Sequence, residues 1–297
     1  MRWIIAHLVV SITICSVPLR AAAADATAPG ASPAGTSSAC RKTLPADLGV
    51  GKTTRRTVAS GGTDRVYLVH VPAKYESANA TPVVLNFHGI WLSPESQHSG
   101  SEFVPISDRE GFILVSPDNN GESTRPAPAS EIGFVRDVVA KIRADLCVDG
   151  RRIFATGFSR GAFLSTWLGC GAPDLVAAIA PVAGVDPPSA GCGPLPILEF
   201  HGRSDEIVPF VAGKTITGYD VGAAIDVLKS WARANGCSDA PQTDDISRGV
   251  QRLTYQGCKA ATIQFLLAAG HIWPDQTFAN LPASELIWQF FKAHPKQ

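Results

Sequence analysis

Near the middle of the chain, Gly157-Phe158-Ser159-Arg160-Gly161 sets a serine between two glycines, each two residues away. The β-rich run Arg152-Ile153-Phe154-Ala155-Thr156 leads into it, and the helix-compatible Ala162-Phe163-Leu164-Ser165-Thr166-Trp167-Leu168 follows. The pattern predicts a strand, a tight turn and a helix, with Ser159 at the apex. The glycines make room for the turn and for close helix-strand packing, and the serine oxygen stands at a helix N-terminus whose N–H groups can stabilise a negative oxygen. The chemistry implied is nucleophilic acyl transfer. Five residues alone are a weak signal, because a serine hydroxyl is a poor nucleophile at neutral pH. It needs a histidine to take its proton and an acid to orient that histidine and stabilise its charged form.

Two further strand ends offer those partners. Pro196-Ile197-Leu198-Glu199-Phe200 runs into His201-Gly202-Arg203-Ser204-Asp205, which puts Asp205 just beyond a buried strand as the acid candidate. Asp186, after Pro181-Val182-Ala183-Gly184-Val185, is the alternative acid, or simply a loop cap. Ala269-Gly270-His271-Ile272-Trp273-Pro274 follows the last apolar strand and makes His271 the base candidate. His201 is expected to order the acid loop, and His88 a loop of its own. Acyl transfer also needs N–H donors at the developing oxyanion. The backbone N–H of Arg160 is one. The run Val83-Val84-Leu85-Asn86-Phe87 ends in His88-Gly89-Ile90-Trp91, so the N–H of Ile90 is the expected second donor, with that of Gly89 next to it. Trp91 and Trp273 flank the oxyanion and base loops; they either stack against substrate or fill the core nearby.

The elements that must position these residues follow from patterning. Strands are predicted over 66–71, 83–87, 112–116, 153–157, 177–181, 197–200, 251–255 and 262–267, and helices over 131–146, 160–169, 221–235 and 282–293. Ile132, Val135, Val138, Val139 and Ile142 form a core-facing stripe on the first helix. Continuous apolar strands alternating with helices imply an α/β fold with a mostly parallel central sheet covered on both faces. Ligands in such sheets bind at the carboxyl ends of the strands, where the order Ser159, Asp205, His271 falls.

The 297 residues carry 26 Lys+Arg against 26 Asp+Glu, a balance that disfavours a nucleic-acid or anionic-membrane partner. Arg2, an apolar run from Trp3 to Leu19 and Ala21 to Ala24 read as a secretory signal over 1–24, with cleavage before Asp25. Removing Arg2 and Arg20 would leave 24 basic against 26 acidic residues. Residues 25–39, rich in Ala, Pro, Gly, Ser and Thr, read as a flexible tether, and 40–297 as one catalytic domain. Six cysteines remain after the signal, which fits disulfides in an oxidising compartment. Spacing favours Cys170 with Cys192 and Cys237 with Cys258, leaving Cys40 for Cys147. There is no C-x-x-C pair or tight His/Cys cluster, so no metal site is expected.

Taken together, His88-Gly89, Gly157-Phe158-Ser159-Arg160-Gly161, Ile179-Ala180-Pro181-Val182-Ala183-Gly184, His201-Gly202-Arg203-Ser204-Asp205 and Gly270-His271-Ile272-Trp273-Pro274 resemble the secreted α/β-hydrolases that include polyhydroxybutyrate depolymerase-like esterases and feruloyl esterases. The resemblance covers roughly residues 60 to 295. It implies an α/β-hydrolase fold, a Ser159, Asp205 and His271 triad, no cofactor, and a small-molecule or oligosaccharide ester as substrate, with no stable membrane association. Feruloyl esters of plant polysaccharide are the expected substrate; hydroxyalkanoate oligomers and acetylated xylan are the alternatives, and a catalytically silent binding protein is the non-enzyme one. The chain departs from many relatives in continuing the His-Gly pair with Ile90-Trp91-Leu92, and in having Ala162 where many have glycine; the bulkier oxyanion loop leaves the shape of the acyl pocket, and hence the substrate, open.

Overall fold

The computed structural model describes residues 39–119, 128–238 and 240–297. The predicted signal over 1–24, and all but the last residue of the tether, lie outside the described residues. The chain opens on a hairpin, β1 (Lys52–Ser60) and β2 (Thr63–Val71), followed by β3 (Thr81–Phe87). Then come α1 (Pro94–Gly100), α2 (Phe103–Glu110), β4 (Ile113–Pro117), α3 (Pro128–Asp145), β5 (Val148–Phe158) and α4 (Arg160–Gly171). After β6 (Ala178–Val182) and β7 (Ile197–Gly202), the two-residue strands β8 (Gly213–Lys214) and β9 (Asp220–Val221) form a separate small ribbon. The chain ends with α5 (Ala224–Ala234), β10 (Gln242–Ser247), β11 (Val250–Thr254), β12 (Thr262–Leu267) and α6 (Ala283–Ala293).

Ten strands make one sheet in the order β1-β2-β4-β3-β5-β6-β7-β12-β11-β10. Its centre is parallel from β4 through β12, and an antiparallel pair closes each edge. The central strands are buried on both faces, which is why they read as unbroken apolar runs. The strand period of two divides their side chains between two cores. Val83, Leu85, Ile113, Val115, Ile153 and Ala155 face α3, α4 and α5, through partners such as Phe134, Leu168 and Trp231. Val84, Leu114, Phe154, Leu198 and Phe200 face α2 and α6, where Phe103, Ile287 and Phe291 meet them. This is the α/β-hydrolase arrangement that the motifs implied.

Six elements were not foreseen: β1, β10, α1, α2 and the two strands of the small ribbon, β8 and β9. β1 and β10 are sheet edges whose sequences, KTTRRTVAS and QTDDIS, carry almost no apolar signal because little of them is buried. Gly61 and Gly62 (φ 59° and 83°) form the two-residue turn joining β1 to β2, with Ser60 opposite Thr63. The short α1 and α2 lie between β3 and β4; α1 starts at a capping box in which Ser93 and Ser96 satisfy each other's backbone N–H. The helix expected over 221–235 begins only at Ala224, because Val221 pairs with Gly213 in the ribbon.

Six cysteines pair as Cys40–Cys147, Cys170–Cys192 and Cys237–Cys258. Among the described residues no helix is long and apolar enough to cross a membrane.

Candidate active site

Ser159 follows β5 and caps α4 with φ 56° and ψ −117°, a conformation that side-chain-bearing residues rarely adopt. The two motif glycines explain how the turn closes. A Cβ at Gly157 would lie 2.5 Å from Gly161 O, and one at Gly161 would lie 2.2 Å from Phe87 O. Backbone therefore passes where any side chain would stand, and only glycine lets α4 start directly over β3 and β5. The Ser159 N–H is tied to Val182 O at 2.9 Å, which fixes the apex against β6.

The acid and base meet by the same means. A Cβ at Gly202 would lie 2.2 Å from Gly270 O, so the loops after β7 and β12 run in backbone contact. Ser204 N–H donates to Ala269 O at 2.9 Å between them. Across this contact His271 Nδ1 lies 2.7 Å from Asp205 Oδ2. Asp205 Oδ1 accepts the N–H groups of Ile207 (2.9 Å) and Val208 (2.8 Å), so both carboxylate oxygens are held. Burial pushes this carboxyl up, but the hydrogen bonds from His271 and Val208 and the nearby histidine charges carry it below its ordinary value. Asp205 is thus an ionised acceptor that directs the His271 Nδ1 proton inward and leaves Nε2 facing outward. The Phe158 ring, next to Ser159, packs against His271 with ring centroids 4.6 Å apart.

The loop after β3 comes to the same place. A Cβ at Gly89 would lie 3.3 Å from Ser159 Cβ. Gly89 O accepts from His88 Nδ1 (2.8 Å) and from the Leu92 N–H (3.2 Å). The Gly89–Ile90 peptide is trans, so the N–H of Ile90 points opposite to that carbonyl. Asn119 holds the loop from behind, its amide donating to His88 O at 3.0 Å and its backbone N–H to His88 Nε2 at 3.2 Å. His88 is wholly buried and orders the loop, as expected from the sequence. The Arg160 guanidinium turns to Asn119 O, so what Arg160 presents at the apex is its backbone N–H at the first position of α4.

A pocket of about 460 Å3, counted to include solvent at its mouth, opens beside Ser159. Its apolar wall comes from Ile90, Phe163, Trp167, Ile207, Ile216 and Tyr219. Neither Trp91 nor Trp273 lines it. Trp91 is 66% exposed at φ 59°, whereas Trp273 packs edge-on to Phe103 and donates to Ser284 Oγ, as part of the α2–α6 core. Asp186, the alternative acid, does not reach His271. Its Oδ2 accepts from Trp167 Nε1 (2.7 Å) and Tyr219 Oη (2.9 Å), so it braces the aromatic wall. Sequence reasoning missed this wall: Phe163 and Trp167 lie on the inner face of a helix, and Tyr219 arrives from a loop some fifty residues on.

No family model matches the chain. Feruloyl esterase B of Piromyces equi is 30% identical over 220 residues, covering 66% of this chain. The match spans only 40% of that relative's length. A probable feruloyl esterase C of Aspergillus terreus is 25% identical over 236 residues, covering 76% of this chain and 83% of its own. In three dimensions the acetyl xylan esterase of Aspergillus awamori superposes with a TM-score of 0.62 over 81% of this chain and 99% of its own, at 16% identity. Fold and relatives agree: the chain has the α/β-hydrolase fold and is similar in sequence to feruloyl esterases.

Proposed function

We propose that the protein is an exported serine carboxylic ester hydrolase that acts on feruloyl (hydroxycinnamoyl) esters of plant cell-wall polysaccharide. The observation that carries the choice of substrate is the pocket at Ser159, whose wall of Phe163, Trp167, Tyr219 and three isoleucines suits a flat aromatic acyl group. The relatives named feruloyl esterase support the same reading. Three disulfides support export to an oxidising compartment.

In this reading His271 Nε2 takes the Ser159 proton as the serine oxygen bonds to the ester carbonyl carbon. The carbonyl oxygen becomes an oxyanion held by the N–H groups of Arg160 and Ile90, each such donor being worth roughly 2.7 to 4 kcal/mol. As the carbon–oxygen bond to the alcohol breaks, His271 gives its proton to that alcohol and the acyl-enzyme remains. Water, deprotonated by His271, then attacks the acyl carbon, releases the acid and restores Ser159. Asp205 stays ionised throughout and stabilises the imidazolium.

The test is a side-by-side measurement of kcat/KM on methyl ferulate, hydroxybutyrate oligomers and acetylated xylan. The reading requires methyl ferulate to be the best of the three. Preference for either of the others would reassign the substrate, and no hydrolysis of any would leave a silent binding protein.

A further inference from the structure

Behind the Asp205–His271 pair lies a second acid and histidine that the steps above do not use. Glu199 and His201 sit on β7, two residues apart and therefore on one face, with side chains 0% and 2% exposed. His201 Nδ1 is 2.9 Å from Glu199 Oε1 and Nε2 is 3.0 Å from the carbonyl oxygen of Val208. That Nε2 also stands 3.8 Å from Asp205 Oδ2, the oxygen that binds His271. Val208 binds Asp205 as well, through its N–H. Both ring nitrogens of His201 thus face oxygen acceptors, an arrangement that suits an imidazolium donating from each. Among the described residues the other neighbours supply no charge: Leu266 lies opposite on β12, Ala183, just past β6, donates its N–H to the preceding Phe200 O, and the Phe210 ring is 5.9 Å away.

Stability alone does not account for the pair. Among the described residues Glu199 Oε2 is buried with no hydrogen-bond partner, as are both amide atoms of Gln264, its register partner on β12. A buried, half-satisfied ion pair is commonly matched or bettered by an uncharged replacement. Its placement behind the acid of a candidate dyad points to a chemical role instead.

We infer that Glu199 and His201 form a buried ion pair whose positive end faces Asp205, holding that carboxylate ionised and aimed at His271. The four groups then form one line, Glu199, His201, Asp205 and His271, in which charges alternate when the base is protonated. Burial pulls the His201 pKa down, but the Glu199 hydrogen bond and charge outweigh it and raise it. Glu199 and His201 are positioning residues, since neither touches substrate. The assignment rests on the esterase reading of Ser159, Asp205 and His271.

The experiment uses the full protein labelled with 15N in its histidines, as wild type and as Glu199→Gln. At pH 7 the wild-type His201 ring should show two N–H protons and the variant one. The variant should lose about tenfold in kcat at pH 7 with KM little changed, and the acid limb of its kcat/KM profile should move to higher pH. Its thermal midpoint should not fall, which separates the loss from unfolding. One ring N–H on wild-type His201 overturns the ion pair. An active wild type whose Glu199→Gln variant keeps kcat and its acid limb overturns the positioning role alone. A folded wild type that hydrolyses no ester overturns the reading of the site, and the role with it.

Discussion

A methyl group at Gly161 would stand 2.2 Å from Phe87 O and 2.8 Å from His88 O, the two carbonyls that lead into the oxyanion loop. Gly161→Ala must therefore push β3 and α4 apart just where, in the proposed mechanism, Ser159 and Ile90 meet one carbonyl. We expect kcat on methyl ferulate to fall about 100-fold or more, since displacements near 1 Å cost that much, while circular dichroism still reports a folded chain. Asp186 acts on the pocket instead. Asp186→Ala frees Trp167 and Tyr219, so KM for methyl ferulate should rise about fivefold, the equivalent of roughly one hydrogen bond. KM for ethyl acetate, which does not reach the wall, should stay within twofold. The placing of Ser159, Asp205 and His271 just beyond β5, β7 and β12 was legible in the sequence because each follows a recognisable strand and sits among turn-forming glycines. Asp186 met the same description, and only contacts with Trp167 and Tyr219 distinguish its role. The substrate roles expected of Trp91 and Trp273 rested on closeness along the chain, which does not tell whether a ring turns to a pocket, to solvent or to the core.

At the scale of elements, the parallel centre of the sheet was legible because strands buried on both faces need continuous apolar residues. The edges were not, because a half-solvated strand such as β10 has no core to fill. One edge contact makes a prediction about pH. His98 on α1 is 6% exposed, with Nδ1 2.9 Å from Ser116 Oγ of β4 and Nε2 3.1 Å from Thr53 Oγ1 of β1. Burial, and then repulsion from His70, lower its pKa to about 4, with Glu95 partly opposing. The folded state thus holds His98 neutral, while the unfolded chain takes up a proton near pH 6.5. Its contribution is complete above that pH and is lost as pH falls from 6.5 towards 4, by about 3 kcal/mol at roughly 1.36 kcal/mol per unit. Urea unfolding across that range should show a steeper acid loss for wild type than for His98→Gln. Parallel curves would remove His98 as the cause.

Across the whole molecule, Cys40–Cys147 joins positions 107 residues apart and fastens the start of the domain to the junction of α3 and β5. Closing a loop of that order is worth about 4.7 kcal/mol in the chain-entropy account. The Cys40→Ala, Cys147→Ala double variant should lose about 4 kcal/mol in urea unfolding at pH 7. A loss below about 1 kcal/mol would show that the bridge adds little beyond the core. The near-neutral charge balance, which first argued against polyanionic partners, agrees with a site whose wall is apolar and aromatic. What the whole chain must do to work as proposed is gather one nucleophile, one acid–base pair and two amides from four strand ends, those of β3, β5, β7 and β12. The most direct measurement of that claim is mass spectrometry of the folded protein after treatment with a fluorophosphonate. The account predicts one adduct, on the peptide containing Ser159, and none in Ser159→Ala. An unmodified protein, or an adduct on any other residue, would contradict it.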